Sequence, residues 1–304
     1  MIKRLVLKAL GFPVNLLVRA FPLDMFDDYN FIQLAYHFIL RRPPDEEGWR
    51  YHLTELSAGR LARADVLRNM VQSVEFKSLD LDDLGSSIHR SRFRWVRSLP
   101  RARRILDLGG AARGSRTGAL VSMGYPYPFE ELVIVDLPLT ERHSLYAEGH
   151  EPLEKVETHL GPVRYVYTSM ADLSVFHDEF FDLVHCGQTI EHVTREEAEV
   201  VLAEVKRVLK PGGHFCLDTP NRRATRLSSE EFIDPDHKVE YHHEELSAML
   251  VRAGFEIQEA KGFNRMSGCF EANRFDAHEA IKNPGLFDDP TECYILAYRC
   301  RKPA

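Results

Sequence analysis

The sequence predicts an α/β fold in which a seven-stranded, mostly parallel sheet with flanking helices follows a small all-α module. Two observations support the sheet. Short apolar runs alternate with segments of helical spacing from residue 105 onward, which is typical of parallel sheets. The first run ends in an acid and a glycine-rich turn, the pattern of a strand–turn–helix unit. Residues 26–82, in contrast, show the periodicity of helices alone.

The composition is that of a globular protein with one large and one smaller domain. The chain has 304 residues, of which 44% are hydrophobic and 28% charged, both ordinary values. A net charge of −7 argues against a general nucleic-acid binder. The five cysteines are odd in number and form no C-x-x-C pair. They therefore favour a reducing, cytoplasmic compartment over a disulfide framework or zinc cluster.

Residues 1–25 have the spacing of an amphipathic helix with a thin cationic face. Its positive charges are Lys3, Arg4, Lys8 and Arg19. Two interpretations stay open. Residues 1–21 either lie on an anionic membrane surface, as a peripheral contact at the inner face of the membrane, or pack against the protein's own body. Pro13 interrupts the helix and favours packing.

Residues 26–82 predict a compact helical module of three helices. The turn between the first two helices reads RRPPDEEGWRY at 41–51. This R-x-P-D-x-x-G-x-x-Y pattern, with a later S-x-E-F, resembles a small bacterial domain of unknown function that recurs in surface-polysaccharide and secreted proteins. The resemblance implies a docking or recognition element and names no chemistry.

Nine arginines lie between Arg90 and Arg116. One interpretation is a patch that binds phosphate on a lipid, a nucleic acid or a glycan precursor. The other is a solvated helix face, which we favour because charge runs are commonly solvated. The apolar residues that would then pack inward are Ile88, Phe93, Trp95, Val96 and Leu99.

Residues 83–304 predict a Rossmann-like domain. Its seven strands are expected at 105–108, 132–135, 163–167, 180–185, 214–217, 255–260 and 291–299. An apolar helical stripe precedes the fifth strand, and the sequence Lys-Pro-Gly-Gly at 210–213 ends that helix. Residues 262–290 form a long insertion before the last strand, and such insertions commonly shape substrate sites.

Acids and small residues follow the predicted strands at the edge where ligands bind in such sheets. Asp107 and the turn after it end the first strand, and Asp136 ends the second. An acid at the second position suits the two hydroxyls of a ribose. The turn has no Gly-Lys-Ser/Thr sequence and therefore is not a phosphate-binding P-loop.

Five separate stretches resemble the class I S-adenosylmethionine-dependent methyltransferases. They read ILDLGG, VIVDLP, FFDLVHCGQTIEHV, LAEVKRVLKPGGHFCLDTPNR and HHEELSAMLVRAGFEI. The resemblance spans residues 84–304 and implies S-adenosylmethionine as the cofactor. The cofactor-binding residues that it implies are Asp107, Gly109 and Gly110 at the methionine part, Asp136 at the ribose, Ser169 and Met170 at the adenine, and Cys186 through its main chain.

The chain departs from the family pattern at two positions. Ala111 stands where a second glycine is common, and Ser169 stands where an acid often accepts from the adenine amino group. These departures leave open a non-catalytic binding protein with a methyltransferase fold.

Four residues after the fourth and fifth strands suggest a metal or a general base. Gln188, Glu191 and His192 would share one face of a helix, and His237 follows in the sequence DPDHKVEY. One carboxylate and two imidazoles suit a divalent ion or acid–base catalysis. With TPNR, these segments resemble the metal-dependent O-methyltransferase branch of the family, whose metal set has a glutamate at the position of Gln188.

That resemblance implies Gln188, Glu191, His192 and His237 as metal ligands, with the last three as catalytic residues. The alternative is that Glu191 and His192 only cap and brace a helix.

The expected reaction is methyl transfer from S-adenosylmethionine to a hydroxyl. The resemblance of residues 26–80 and the N-terminal helix favour a sugar of a bacterial surface polysaccharide or its precursor, and hence a glycan or glycolipid acceptor. The sequence DHKVEY and the arginine-rich segment leave an RNA 2′-O-methyltransferase as an alternative.

Overall fold

The computed structural model divides into two compact units, residues 1–81 and 82–304. The structure describes residues 27–40, 42–73, 84–112, 115–142, 155–232 and 234–304. The predicted amphipathic helix at 1–25 lies outside the described residues and stays a prediction. Within the described ranges, no helix is both long and apolar enough to cross a membrane.

The N-terminal unit contains the three expected helices, α1 (Asp28–Ala35), α2 (Glu46–Ser57) and α3 (Arg63–Gln72), with a π-helical turn at Tyr36–Leu40. Asp27 and Asp45 cap α1 and α2, because their carboxylates accept from main-chain N–H groups at the helix starts. Apolar residues of the helices and the π turn form the core, among them Phe31, Ile32, Ile39, Val66, Leu67 and Met70.

The second unit is built on a nine-stranded mixed sheet in the order β3-β4-β2-β1-β5-β6-β9-β7-β8. Its strands are β1 (Arg104–Leu108), β2 (Glu131–Asp136), β3 (Lys155–Glu157), β4 (Pro162–Tyr167), β5 (Phe181–Gly187), β6 (Leu209–Pro220), β7 (Glu256–Arg265), β8 (Leu286–Phe287) and β9 (Cys293–Arg301). Neighbours from β4 to β6 are parallel, whereas β9 is antiparallel to β6 and β7. The predicted α/β class with a mostly parallel sheet is confirmed.

All seven predicted strands are present, and β3 and β8 add one short strand at each edge. Strands of three and two residues are too short to show an alternating pattern. The long insertion is also more ordered than expected. Strand β7 continues to Arg265, and the rest folds into α9 (Ser267–Glu271), α10 (Ala277–Lys282) and β8.

Five helices of this unit, in addition to α9 and α10, flank the sheet within the described residues. They are α4 (Leu84–Arg97), α5 (Gly118–Ser122), α6 (Arg195–Val208), α7 (Arg222–Thr225) and α8 (His243–Arg252). Five members of the predicted apolar stripe are buried on α6, namely Ala198, Val201, Leu202, Val205 and Val208. Helix α6 ends one residue earlier than predicted, because the sixth member, Leu209, begins β6, and the Lys-Pro-Gly-Gly sequence at 210–213 lies within that strand.

The packing of helix α4 supports the second interpretation of the arginine-rich segment, in which apolar residues face inward, and leaves phosphate binding an open prediction. Phe93, Trp95, Val96 and Leu99 are at most 1% exposed, while Ile88 is only partly buried. One arginine on this helix, Arg92, points inward and pairs with the buried Asp218. The helix is therefore an amphipathic cover for the sheet rather than a uniformly exposed basic patch.

Candidate active site

The parallel strands bring the predicted cofactor residues to one edge of the sheet. Leu108 of β1 lies opposite Val135 of β2 on one side and Cys186 of β5 on the other. The residues that follow these three positions therefore meet at the carboxyl ends of β1, β2 and β5, where ligands bind in such folds.

The turn after β1 has the close approaches that make glycine necessary. Gly109 has φ +67°, and a Cβ there would lie 2.4 Å from a side-chain carbon of Thr189. A Cβ on Gly110 would lie 2.2 Å from Oδ2 of Asp107. Asp107 is only 1% exposed. Gly109 thus allows the turn to pack against Thr189, and Gly110 allows it to pass close to the buried carboxylate of Asp107.

Asp136 ends β2 beside this turn. Its two carboxylate oxygens accept from the main-chain N–H groups of Ala111 (3.1 Å) and Leu137 (2.8 Å), and Arg142 lies 3.2 Å away. Burial raises the pKa of Asp136, and the charge of Arg142 opposes that rise. A carboxylate has about four acceptor positions, so about one position remains for a ribose hydroxyl.

The other predicted cofactor residues flank this edge in different ways. Ser169 is exposed, and its Oγ accepts from the main-chain N–H of Ala171. Met170 is 8% exposed, and Cys186 is fully buried. Burial raises the pKa of the Cys186 thiol, so this side chain stays neutral. These positions keep Ser169 and Met170 as candidates for an adenine contact and Cys186 for a main-chain contact.

We expect Asp136→Ala to weaken S-adenosylmethionine binding by about 1–3 kcal/mol, because a buried charged acceptor for the ribose is lost. Calorimetry on the purified variant measures this change. A thermal melt that matches the wild type verifies folding. Unchanged affinity in a folded variant would remove Asp136 from the cofactor site.

A cluster of one carboxylate and two imidazoles lies after β5. Glu191 and His192 belong to a short 3₁₀ helix at Ile190–His192, and His237 comes from the segment before α8. Their ligand-type atoms all lie within 4.8 Å of one another. The main chain joins the two segments, because Lys238 and Val239 donate to the carbonyl of Glu191.

Each member of the cluster has a partner that orients it. Thr219 donates to Oε2 of Glu191 at 2.9 Å. Nδ1 of His192 lies 2.9 Å from Oδ2 of Asp236. Nδ1 of His237 lies 2.8 Å from Oε1 of Glu240. In metal sites such partners fix the ring orientation and leave Nε2 to face the ion.

The electrostatics of the cluster differ from residue to residue. Burial raises the pKa of Glu191 to about 7, against the effects of a main-chain hydrogen bond, His237 and Thr219. Burial and the neighbouring His237 lower the pKa of His192. Burial acts to lower the pKa of His237, but the hydrogen bond to Glu240 and the charge of Glu191 raise it overall. Burial therefore disfavours the charged forms of Glu191 and His192, whereas the carboxylates around His237 favour its charged form.

Gln188 is held in a different environment. It has φ +55°, its main-chain N–H donates to the carbonyl of Asp218, and its Nε2 donates to Oδ1 of Asp218 at 3.0 Å. Only the amide oxygen is left for a cation. The predicted role of Gln188 as a fourth ligand therefore stays a prediction, whereas the other three residues lie together.

Sequence reasoning missed several residues that contact the site. They are Arg92, His185, Asp218, Thr219, Asp236 and Glu240. Asp218 carries the same signal that identified Asp107 and Asp136, an acid near the end of a buried strand. The carboxylate partners of the two histidines were also visible, since both lie within the segment DPDHKVEY.

Comparisons with known proteins agree with this geometry. The family described as "Methyltransferase domain" matches residues 98–217, and the "Domain of unknown function (DUF4214)" matches residues 24–79. A protein of Mycolicibacterium smegmatis described as "Probable S-adenosylmethionine-dependent methyltransferase" is 36% identical over 94 residues. That match covers 31% of this chain and 36% of the relative, so the chain spans little more than a third of its length.

Two further similarities extend over more of the chain. A ubiquinone biosynthesis O-methyltransferase of Hydrogenovibrio crunogenus is 28% identical over 206 residues, which is 64% of this chain and 74% of that protein. The crystal structure of an S-adenosylmethionine-dependent methyltransferase, possible histamine N-methyltransferase, from Thermotoga maritima superposes with a TM-score of 0.49 and 20% identity, covering 72% of this chain and 91% of that one.

The resemblance read from the sequence motifs and the match to the family thus agree, and both fall on the unit whose strand ends carry the candidate cofactor residues. The chain therefore contains a methyltransferase domain, and the DUF4214 domain of unknown function precedes it.

Proposed function

We propose that this enzyme transfers the methyl group of S-adenosylmethionine to a hydroxyl, and that Glu191, His192 and His237 act on that hydroxyl. The proposal rests on one observation: the ligand-type atoms of these residues lie within 4.8 Å of one another, just beyond the end of β5. The ubiquinone biosynthesis O-methyltransferases among the relatives support an oxygen acceptor.

The donor set fits a divalent cation. It offers one carboxylate and two imidazoles, each held by a separate partner. Imidazole nitrogens favour manganese, iron, cobalt or nickel over calcium, and magnesium is compatible with the carboxylate. A bound cation would lower the pKa of an acceptor hydroxyl and orient it.

The chain's own residues also provide for proton transfer. The lowered pKa of His192 keeps its imidazole neutral near pH 7, so that it can accept a proton from a hydroxyl. Asp236 and Glu240 hold His192 and His237 in place through Nδ1. If no cation participates, His192 is the candidate general base.

For the acceptor we propose a sugar of a bacterial surface polysaccharide or its lipid-linked precursor. A cavity of about 620 Å³ adjoins the cluster, since Glu240 both lines it and contacts His237. Arg222 and Lys238 also line it, and the guanidinium of Arg222 lies over the ring of Phe232. A lining rich in charged donors and acceptors suits the hydroxyls of a sugar.

A lipid-linked precursor would also give residues 1–21 a role as a membrane contact. Flotation with anionic and neutral vesicles tests this contact on the full-length protein. Failure to bind either kind of vesicle would contradict it.

A deletion strain tests the proposed acceptor. We expect mass spectrometry of its surface polysaccharide to show the loss of a methyl ether. The wild-type gene should restore the methyl group, and a gene carrying His237→Ala should not. Unchanged methylation in the deletion strain would contradict a polysaccharide acceptor, and testing a quinone acceptor in vitro would be the next step.

A chelator tests the proposed metal in vitro. We expect methyl transfer to fall after chelation and to recover on addition of manganese or magnesium, because the acceptor hydroxyl is a weak acid. The His237→Ala variant should lose this recovery at low metal concentration yet bind S-adenosylmethionine normally. Full activity after chelation, with no metal left by elemental analysis, would exclude a metal from the reaction.

A further inference from the structure

Three buried polar side chains lie in a row across the carboxyl ends of β1, β5 and β6. Nδ1 of His185 lies 2.7 Å from Oδ1 of Asp107, and Nε2 of His185 lies 3.9 Å from Oδ2 of Asp218. Each of the three side chains is at most 1% exposed. Because an ionised carboxylate can only accept, Nδ1 of His185 donates to Asp107. One imidazole therefore lies between two carboxylates.

Arg92 and Gln188 complete the row at the Asp218 end. Nε of Arg92 and Nε2 of Gln188 each lie 3.0 Å from Oδ1 of Asp218. The main chain of Gly187 packs directly on the row, since a Cβ there would lie 2.6 Å from Nη2 of Arg92 and 2.7 Å from Cε1 of His185. This packing fixes the imidazole and the guanidinium against the end of β5.

One buried oxygen of Asp107 has no hydrogen-bond partner among the described residues, namely Oδ2. Buried acceptors without a donor are rare in folded proteins and need an explanation. The Gly109–Gly110 turn passes close to this oxygen, because a Cβ on Gly110 would lie 2.2 Å from it. A carboxylate oxygen beside a ligand-binding turn suits a cationic donor such as an ammonium group.

We propose that His185 is a positioning residue that fixes Asp107 so that its Oδ2 receives the amino group of the cofactor's methionine part. This inference rests on the assignment of Asp107 to that part of the cofactor. His185 occupies Oδ1 and thereby leaves one oxygen for the ligand. The main chain of Gly187, which packs against Cε1 of His185, keeps the imidazole in this position.

Two ligands separate this role from general support of the fold. S-adenosylhomocysteine has the amino-acid part, whereas 5′-methylthioadenosine keeps the adenosine and the sulfur and lacks that part. We expect His185→Leu to weaken S-adenosylhomocysteine binding by about tenfold or more and to change 5′-methylthioadenosine binding less than about twofold. His185→Asn places an amide donor near the position of Nδ1 and should restore part of the loss.

Two controls complete the calorimetric experiment. His214→Leu makes the same change at a half-buried histidine of β6 outside the row and should alter neither ligand. Asp136→Ala should weaken both ligands, because both contain the ribose. If His185→Leu fails to fold, His185→Gln, whose amide lies near the position of Nε2 and not of Nδ1, replaces it and should show the same selective loss.

The results separate the positioning role of His185 from the assignment of Asp107 to the methionine part of the cofactor. Equal weakening of both ligands by His185→Leu or His185→Gln, or no weakening in a folded variant, overturns the positioning role. Asp107→Asn tests the premise, since it should also weaken S-adenosylhomocysteine selectively. If it weakens both ligands equally or neither, the assignment of Asp107 is wrong, and the inference is overturned with it.

Discussion

Glu191→Gln is expected to stabilise the metal-free protein at pH 8 while it abolishes metal binding. The side chain of Glu191 is 1% exposed, and burial raises its pKa from an ordinary 4.5 to about 7. At about 1.4 kcal/mol per pKa unit, the charged form costs roughly 3 kcal/mol of folding free energy. A neutral amide avoids that cost and can still accept from Thr219.

The pH dependence has a definite sign. The unfolded chain releases the Glu191 proton near pH 4.5 and the folded chain near pH 7, so between these values the folded state binds more protons. The wild-type protein therefore loses stability as pH rises from about 4.5 to about 7. Glu191→Gln has no carboxyl group at this position and keeps its stability as pH rises. Its free energy of unfolding should therefore exceed that of the wild type by an amount that grows between about pH 4.5 and 7 and is constant above pH 7.

Urea unfolding at pH 5 and pH 8 measures the effect. In a Trp49→Phe background, Trp95 is the remaining tryptophan, and its emission reports on the methyltransferase unit. Glu196→Gln, at an exposed position of α6, is the matched control and should leave the stability unchanged. Saturating metal should make the wild type the more stable of the two proteins, because only the wild type gains free energy from the proposed metal binding. A variant less stable than the wild type at pH 8 without metal would contradict the burial argument.

The sequence was most informative where one local pattern determines the structure. The apolar run ending at Asp107 and the glycines after it predict both a strand and a ligand-binding edge. The apolar stripe of α6 similarly predicts its buried face. Strands β3 and β8 could not be predicted, because three- and two-residue edge strands carry no periodicity and depend on a neighbour for pairing.

The partners of the site residues depend on contacts between distant segments. His185 lies within the stretch FFDLVHCGQTIEHV, but only the register of β1 and β5 brings it opposite Asp107. The pairing of β5 and β6 similarly brings Gly187 opposite Asp218. Arg92 was one of several arginines in a charge run, and nothing local distinguishes the one that points inward. Such contacts follow from sheet order, which a single sequence does not specify.

Gly110→Ala is expected to abolish tight cofactor binding. The new Cβ would lie 2.2 Å from Oδ2 and 2.4 Å from Cγ of Asp107, which is a steric clash. Asp107 cannot move aside easily, because it is 1% exposed and its Oδ1 is hydrogen-bonded to Nδ1 of His185 at 2.7 Å. We expect S-adenosylhomocysteine to bind at least about tenfold more weakly, since a charged hydrogen bond is lost.

A double-mutant cycle tests whether the loss acts through Asp107. If the added methyl group harms binding by displacing this carboxylate, Asp107→Ala removes both the clash and the acceptor. The double variant should then bind no more weakly than Asp107→Ala alone, so the two effects should be strongly non-additive. Gly59→Ala, at a glycine of the N-terminal unit with open space around it, controls for general destabilisation and should bind the cofactor normally. If the two variants lose cofactor affinity additively, the added methyl group acts on the cofactor directly and not through the position of Asp107.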